Sequence, residues 1–281
     1  MATSSLPAYD AHQSAFHEAF RDDLYRLIDA LPLRTDAHVL DVPCGNGFYS
    51  RRLAGRLGER GQLHAVDANE AYLDAARASL DSTGSPATVE VRAADVYRLP
   101  YPDHAFDFVW CAQSLISLDP EPALREMFRV AKPDGLVAIL EVDEFHHILL
   151  SWPADLEAAL PQAVHAASVQ RYGSGVKLSP SRRLRRILKQ VGFQSVRRET
   201  YPIERAAPFD EPTAVFLTEH FAYLKSFARP FLQEDLKPDF DRLTDPAAGD
   251  SLLHHPDSEL VCINAVYLAR PRRLPRGRLA R

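Results

Sequence analysis

The segment VLDVPCGNGFYS, Val39 to Ser50, constrains this 281-residue chain more than any other. An apolar run ends at an acid, Asp41, and gives way to two glycines, Gly45 and Gly47, that open a helical pattern. A buried parallel strand followed by a glycine turn and a helix N-terminus offers bare backbone and unpaired N–H groups to a nucleotide-like ligand. A second apolar run, LHAVDA, carries Asp67 twenty residues past Gly47. An acid at that offset is placed to grip a ribose diol.

Both features also suit a dinucleotide site, so the ligand has to be separated by charge. Gly45, Gly47 and Ser50 fill a G-x-G-x-x-G pattern in only two of its three glycines. Asp41 would repel a pyrophosphate and attract an ammonium. A ribose together with a positive charge near the loop describes S-adenosylmethionine (SAM) better than NAD.

The rest of the first half repeats the alternation. Strands are predicted near 38–42, 62–67, 88–94, 106–112 and 135–142, with helices near 47–58, 69–82 and 120–131. Phe16, Phe20, Leu24, Leu27, Ile28 and Leu31 predict one amphipathic helix over 11–31, ahead of the first strand. Helices over 153–171 and 180–191, a strand over 193–204 and a last strand over 260–270 complete the reading. Such alternation predicts an α/β fold, a Rossmann-like, doubly wound sheet that binds ligands at the carboxyl edge of its strands.

These motifs, in this order, resemble the class I SAM-dependent methyltransferases, and in particular the small-molecule, quinone-biosynthesis-like group. The resemblance runs from Val39 to about Glu144 and includes LPYPDHAFDFVW and LREMFRVAKPDGLVAILE. It implies a seven-stranded sheet, mostly parallel with an antiparallel last strand, and SAM as cofactor. It also implies cofactor contacts from Asp41, Gly45, Gly47, Asp67, Ala68, Asp95, Val96, Cys111 and Gln113. Pro43 stands where the family's loop carries glycine, and proline supplies no N–H.

The expected division is an N-terminal helical cap over 1–35, a SAM-binding domain over 36–204 and 257–270, an inserted lid over 205–256, and a basic tail over 271–281. About fifty residues between the last two strands are far more than a hairpin needs. The net charge is −5, and six arginines fall within the last twelve residues, which leaves −11 on the rest. An acidic body is a poor surface for a phosphate backbone, which argues against nucleic acid as a partner. Three widely spaced cysteines without a C-x-x-C pair indicate neither a disulfide framework nor zinc, and no metal is expected. The N-terminus lacks the pattern of a signal peptide and no apolar run is long enough to span a membrane, so cytoplasmic location is the expectation. A homodimer is compatible with this reading.

Methyl transfer from a sulfonium needs positioning and a dry site more than a dedicated base. Where the nucleophile must lose a proton, His146 or His147, after the fifth strand, is chemically suited to accept it. Expected substrate contacts are Tyr9, His12 and Phe16 from the first helix, Trp152 and Tyr172, and Phe216, His220 and Tyr223 from a helical stripe in the insertion. The leading expectation is methyl transfer to an O, N or C centre of a small, partly apolar metabolite. The alternatives are an RNA methyltransferase, suggested by RRLRRILK (182–189), and a SAM-binding module without turnover.

Overall fold

Burial on both faces makes the first strands near-continuous apolar runs, and these form the middle of the sheet. The computed structural model describes residues 10–142, 148–173 and 180–271. Strands β1 (His38–Asp41), β2 (Gln62–Asp67), β3 (Thr88–Ala93), β4 (Phe106–Ala112) and β5 (Ala131–Glu141) are parallel, in the spatial order β3-β2-β1-β4-β5. The order reverses between β1 and β4, which is where such sheets open a ligand crevice. Helices α3 (Phe48–Gly55), α4 (Glu70–Asp81) and α5 (Pro120–Val130) make the crossovers. Asn69 caps α4 by accepting the Ala71 N–H at 2.9 Å, and Pro120 starts α5, where its missing donor costs nothing.

The chain continues with β6 (Ile148–Leu150), α6 (Ala154–Tyr172), α7 (Pro180–Val191) and β7 (Ser195–Ala206). After α8 (Glu211–Phe227), a 3-10 turn at Arg229–Phe231 and α9 (Lys237–Leu243), it ends in β8 (Glu259–Arg270). β8 is antiparallel to β5, β6 and β7, and its ladder with β7 runs from Ser195↔Arg270 to Ala206↔Glu259. The described sheet therefore has eight strands where seven are expected. The additional one is β6, which meets β8 at Ile148↔Cys262 after β5 has met it at Glu141↔Ala265. β8 advances three positions between those pairs while the other chain advances seven, so β6 is a separate short strand.

One apolar layer, with Leu24, Leu53, Leu73, Trp110, Leu156 and Phe216, lies under α2, α3, α4, α6 and α8. The other, with Leu40, Val109, Cys111, Leu124 and Leu188, lies under α5 and α7. The single helix expected over 11–31 is two, α1 (Asp10–Ala19) and α2 (Arg21–Asp29), separated at Phe20 with φ −119° and ψ 17°. The break lets α1 pack along α8 while α2 lies against α3. Among the described residues no helix is long and apolar enough to cross a membrane.

Candidate cofactor and active site

Asp41 and Asp67 end adjacent parallel strands and both turn toward the layer of α3 and α4. Asp41 is 1 % exposed and accepts a hydrogen bond from the Ser50 hydroxyl. The third position of the glycine motif thus holds a residue that binds the first-strand acid. Burial pushes the Asp41 carboxyl up to about 7, against the Ser50 hydrogen bond, and the neighbouring negative charge of Asp67 adds to the rise. Asp67 braces two turns: Oδ2 accepts from the Gly45 N–H at 3.0 Å and Oδ1 from the Asn69 N–H at 2.9 Å. Each oxygen keeps a second lone pair for a ribose hydroxyl.

The turn between them is built for close approach. Gly45 and Gly47 both adopt left-handed backbone, at φ +52° and +82°. A Cβ on Gly45 would meet nothing within 4 Å, whereas one on Gly47 would lie 2.9 Å from the Ala76 Cα of α4. Gly45 thus faces open space and Gly47 faces a helix. Pro43 supplies no N–H, and the loop is tied by the Cys44 N–H to the Val66 carbonyl at 2.9 Å. With two carboxylates, a bare turn and the first N–H groups of α3, these residues fit a ligand that carries a ribose and an ammonium.

The remaining expected cofactor contacts divide. Ala68 and Asp95 are exposed after β2 and β3, and Val96 is buried beside Asp95. Asp95 closes its own turn by accepting the Tyr97 N–H at 2.9 Å, which leaves its second oxygen available. Cys111 needs correcting. It is 0 % exposed within the layer under α5 and α7, because β4 turns Trp110 and Ala112 to the opposite layer. It offers no surface to a ligand.

Gln113 follows β4 with φ +51°, an uncommon conformation for a non-glycine residue. Its side-chain oxygen accepts from His17 Nε2 at 3.1 Å and from the Tyr49 hydroxyl at 3.4 Å. The His17 ring stacks on Phe48 with centroids 4.1 Å apart and planes 6° apart. His17 was not singled out by the sequence, where it lies between two core phenylalanines at helical spacing. Glu141, at the end of β5, fixes the loop after β4 by accepting the N–H groups of Ser114 (3.1 Å) and Leu115 (2.8 Å).

The expected substrate residues fall into four groups. His12 joins α1 to α8, with its ring 5.6 Å from Phe216, 5.5 Å from His220 and 5.4 Å from Tyr223, and His12 Nε2 lies 3.3 Å from His220 Nδ1. Phe16 and Phe216 need correcting, since both are buried and pack edge to face on each other and on Phe20. Trp152 contacts Phe240 of α9 and Phe221 of α8, which ties the chain after β6 to the segment between β7 and β8. Tyr9, His146, His147 and the side chain of Tyr172 lie outside the described residues. A groove of about 860 Å³ runs along another face of α8, lined by Pro208, Phe209, Ala214, Val215 and Leu253. None of its lining residues belongs to the turns after β1, β2 or β4.

Asp67→Ala tests the ribose assignment. It is expected to weaken SAM and S-adenosylhomocysteine about tenfold or more, in line with roughly 1.5 to 3 kcal/mol for a hydrogen bond to a charged group. Unchanged calorimetric affinity in a folded variant would remove Asp67 from the site.

A methyltransferase-domain family model matches residues 40–139, from the first strand through the fifth. The ubiquinone/menaquinone biosynthesis C-methyltransferase UbiE of Cronobacter sakazakii is 30% identical over 178 residues, 60% of this chain and 71% of that protein. Among solved structures, YcgJ of Bacillus subtilis superposes with a TM-score of 0.56 at 16% identity, covering 90% of this chain and all of that one. A SAM-dependent methyltransferase from Aquifex aeolicus gives 0.50 at 23% identity, over 69% of this chain and 91% of that one. The structural likenesses carry the fold, and the likeness to UbiE carries the family. The chain belongs to the class I SAM-dependent methyltransferases, in the group that includes the quinone-biosynthesis enzymes, and SAM is its methyl donor.

Proposed function

We propose that the protein methylates a ring carbon of a small, hydroxylated, partly apolar aromatic, a quinol or a close analogue. The observation that carries this reading is the 30% identity to a curated C-methyltransferase across 71% of that protein's length. The geometry supports it independently. His17 of α1 stacks on Phe48 beside Gln113, and His12 and Tyr223 stand further along the α1–α8 contact. An aromatic acceptor needs such surfaces, and α1 with α8 would exclude water from the sulfonium.

In this scheme Asp67 holds the ribose, Asp41 the ammonium, Asp95 the adenine amine, and Gly45 allows the donor's close approach. The donor supplies an activated methyl group when bound. The chain's own residues orient the acceptor for in-line attack and keep the site dry. Residues 205–256 act as the lid and residues 1–35 as the cap. Neither the RNA reading nor the catalysis-free reading is favoured by the similarities.

The experiment is turnover of a reduced naphthohydroquinone, unsubstituted beside one hydroxyl and bearing a short alkyl chain, with methyl-labelled SAM. A product labelled at ring carbon is expected. A product labelled only at oxygen, or none across a panel of hydroquinones while SAM binds, would overturn the reading.

A further inference from the structure

We propose that the groove along α8 receives the arginine-rich segment 272–281 of a second copy of this chain, and that two copies exchange these segments reciprocally. The inference is independent of the acceptor's identity. It gives a use to two features that methyl transfer leaves idle, the groove and the basic segment.

The groove, about 860 Å³ in volume, combines apolar walls with carboxylates. Pro208, Phe209, Val215 and Leu253 supply apolar surface, and Glu211 and Glu219 line it beside them. Val215 is 51 % exposed near the start of α8. The same helix turns Phe216, His220 and Tyr223 the other way, onto His12 of α1. One face of α8 thus packs inside the molecule, while the face with Ala214, Val215 and Thr218 borders open groove. Apolar surface of this kind, rimmed by charge, marks a site of interaction.

Charge names the partner. The two stretches that form the groove, 207–219 and 245–257, carry Asp210, Glu211, Glu219, Asp245, Asp250 and Asp257 and neither lysine nor arginine. Asp250 is paired with Arg242, whereas Glu211, Glu219, Asp245 and Asp257 form no ion pair among the described residues. Segment 272–281, RRLPRGRLAR, lies outside the described residues; its sequence sets arginines around Leu274, Pro275 and Leu279 and contains no acid. Guanidinium groups bind carboxylates through charge-assisted hydrogen bonds, and the leucines and proline match the apolar walls.

Reach decides which copy supplies it. β8 begins beside the groove, where the Ala207 N–H donates to the Ser258 carbonyl at 2.9 Å and Ala206 pairs with Glu259. It then leads away to Arg270, opposite Ser195, over twelve residues. That is a distance of roughly 37 Å at ~3.4 Å per residue. From Arg270, the chain to Arg281 spans at most about 36 to 40 Å when fully extended. Returning along its own strand, the segment would end level with Ala206 and leave its own groove unfilled. A second copy is under no such limit. Reciprocal exchange fills both grooves and closes the assembly as a two-fold dimer.

The test compares the full chain with a chain ending at Pro271. At ~50 µM protein the full chain is expected to sediment as a dimer in ~50 mM salt and as a monomer in ~500 mM salt, because salt screens exposed charge pairs. The shortened chain should be monomeric in both. A fluorescein-labelled peptide RRLPRGRLAR should bind the shortened chain, and Glu211→Gln with Glu219→Gln should weaken it about tenfold or more. Val215→Lys should weaken it comparably by meeting the arginines with like charge. These positions are not buried, so the melting temperatures should stay within about 2 °C of wild type. A mixture of 15N-labelled and unlabelled full chains, with Leu279→p-benzoylphenylalanine, should cross-link peptides of unlike isotope at residues 207–219. A dimer that survives the truncation, a full chain that stays monomeric in low salt, peptide affinity unmoved by the groove substitutions, or cross-links confined to like isotope would each overturn the inference. If the full chain captures a labelled RNA oligonucleotide through 272–281 while the groove substitutions leave its mass unchanged, nucleic acid is the segment's partner and the inference falls.

Discussion

At pH 8, Asp41→Asn is expected to melt at a higher temperature than the wild type and to bind SAM at least tenfold more weakly. The Asp41 carboxyl is buried and its pKa stands at about 7 in the folded protein, against about 3.9 in an unfolded chain. The folded state therefore holds this proton more tightly than the unfolded state does. The stability it contributes is fully present below about pH 4 and is lost as the pH rises through about 7. A displacement of roughly three units corresponds to ~4 kcal/mol at most. Asparagine has the same shape and never ionises, so denaturation curves of the variant should flatten across that window. Binding should carry the opposite dependence. An ammonium ligand favours the carboxylate, so wild-type affinity for SAM should rise toward tenfold per unit between pH 5 and 7, with measurable proton release by calorimetry. In Asp41→Asn the same titration should be flat. A wild-type affinity indifferent to pH in that range would remove the ammonium contact.

Gly47→Val is expected to reduce SAM affinity at least 100-fold and to lower the melting temperature markedly. At φ +82° a branched side chain is strained, and its Cβ would sit 2.9 Å from the Ala76 Cα. Because that neighbour is backbone, no rotamer change relieves the contact. Overpacking and left-handed strain together cost roughly 2 to 5 kcal/mol, and relaxation must move α3 away from α4. Gly45→Ala separates cofactor from fold. Its Cβ meets nothing within 4 Å at φ +52°, so the stability loss should stay near 1 to 2 kcal/mol. The methyl group projects into the space assigned to the ligand, and affinity should fall by more than the stability loss explains. Equal SAM affinity in Gly45→Ala and wild type would move the cofactor away from this turn.

The parts of the molecule that could be read in advance are those whose physics is local. β1, β2 and β4 are largely buried on both faces, so they show as near-continuous apolar runs, and the acids that end β1 and β2 stand at fixed offsets from the turn. β6 spans Ile148–Leu150 and is too short to carry a period. The break at Phe20 leaves no mark, because Phe16, Phe20, Leu24 and Leu27 stay in helical phase through it. Cys111 is expected at the cofactor only because the resemblance implies it. Its face depends on the parity of Trp110 and Ala112 against the two helix layers, which only the assembled sheet defines. His17 was invisible for a similar reason. Its meaning comes from Gln113, ninety-six residues later, and from a turn of α3 that stacks Phe48 against it. Ser50 had a readable signal in the substitution at the motif's third glycine, since a hydroxyl nine positions after a buried acid is a natural partner for it.

β8 is the final described strand of the chain, yet it lies in the interior of the sheet, bonded to β5 and β6 on one side and β7 on the other. During synthesis, β1 to β5 can assemble as they emerge, while β7 has no neighbour to pair with until the last strand arrives. The contact of His12 with His220, across 208 positions, also waits for α8 to find its seat. A nascent chain halted before residue 259 would thus hold a formed donor turn and an open sheet edge along β5. Contacts of such long range are slow to form, and an unpaired edge invites other chains. The methyl-donor half of the fold is local and early. The half proposed to close over the acceptor waits for β8 to pair with β7.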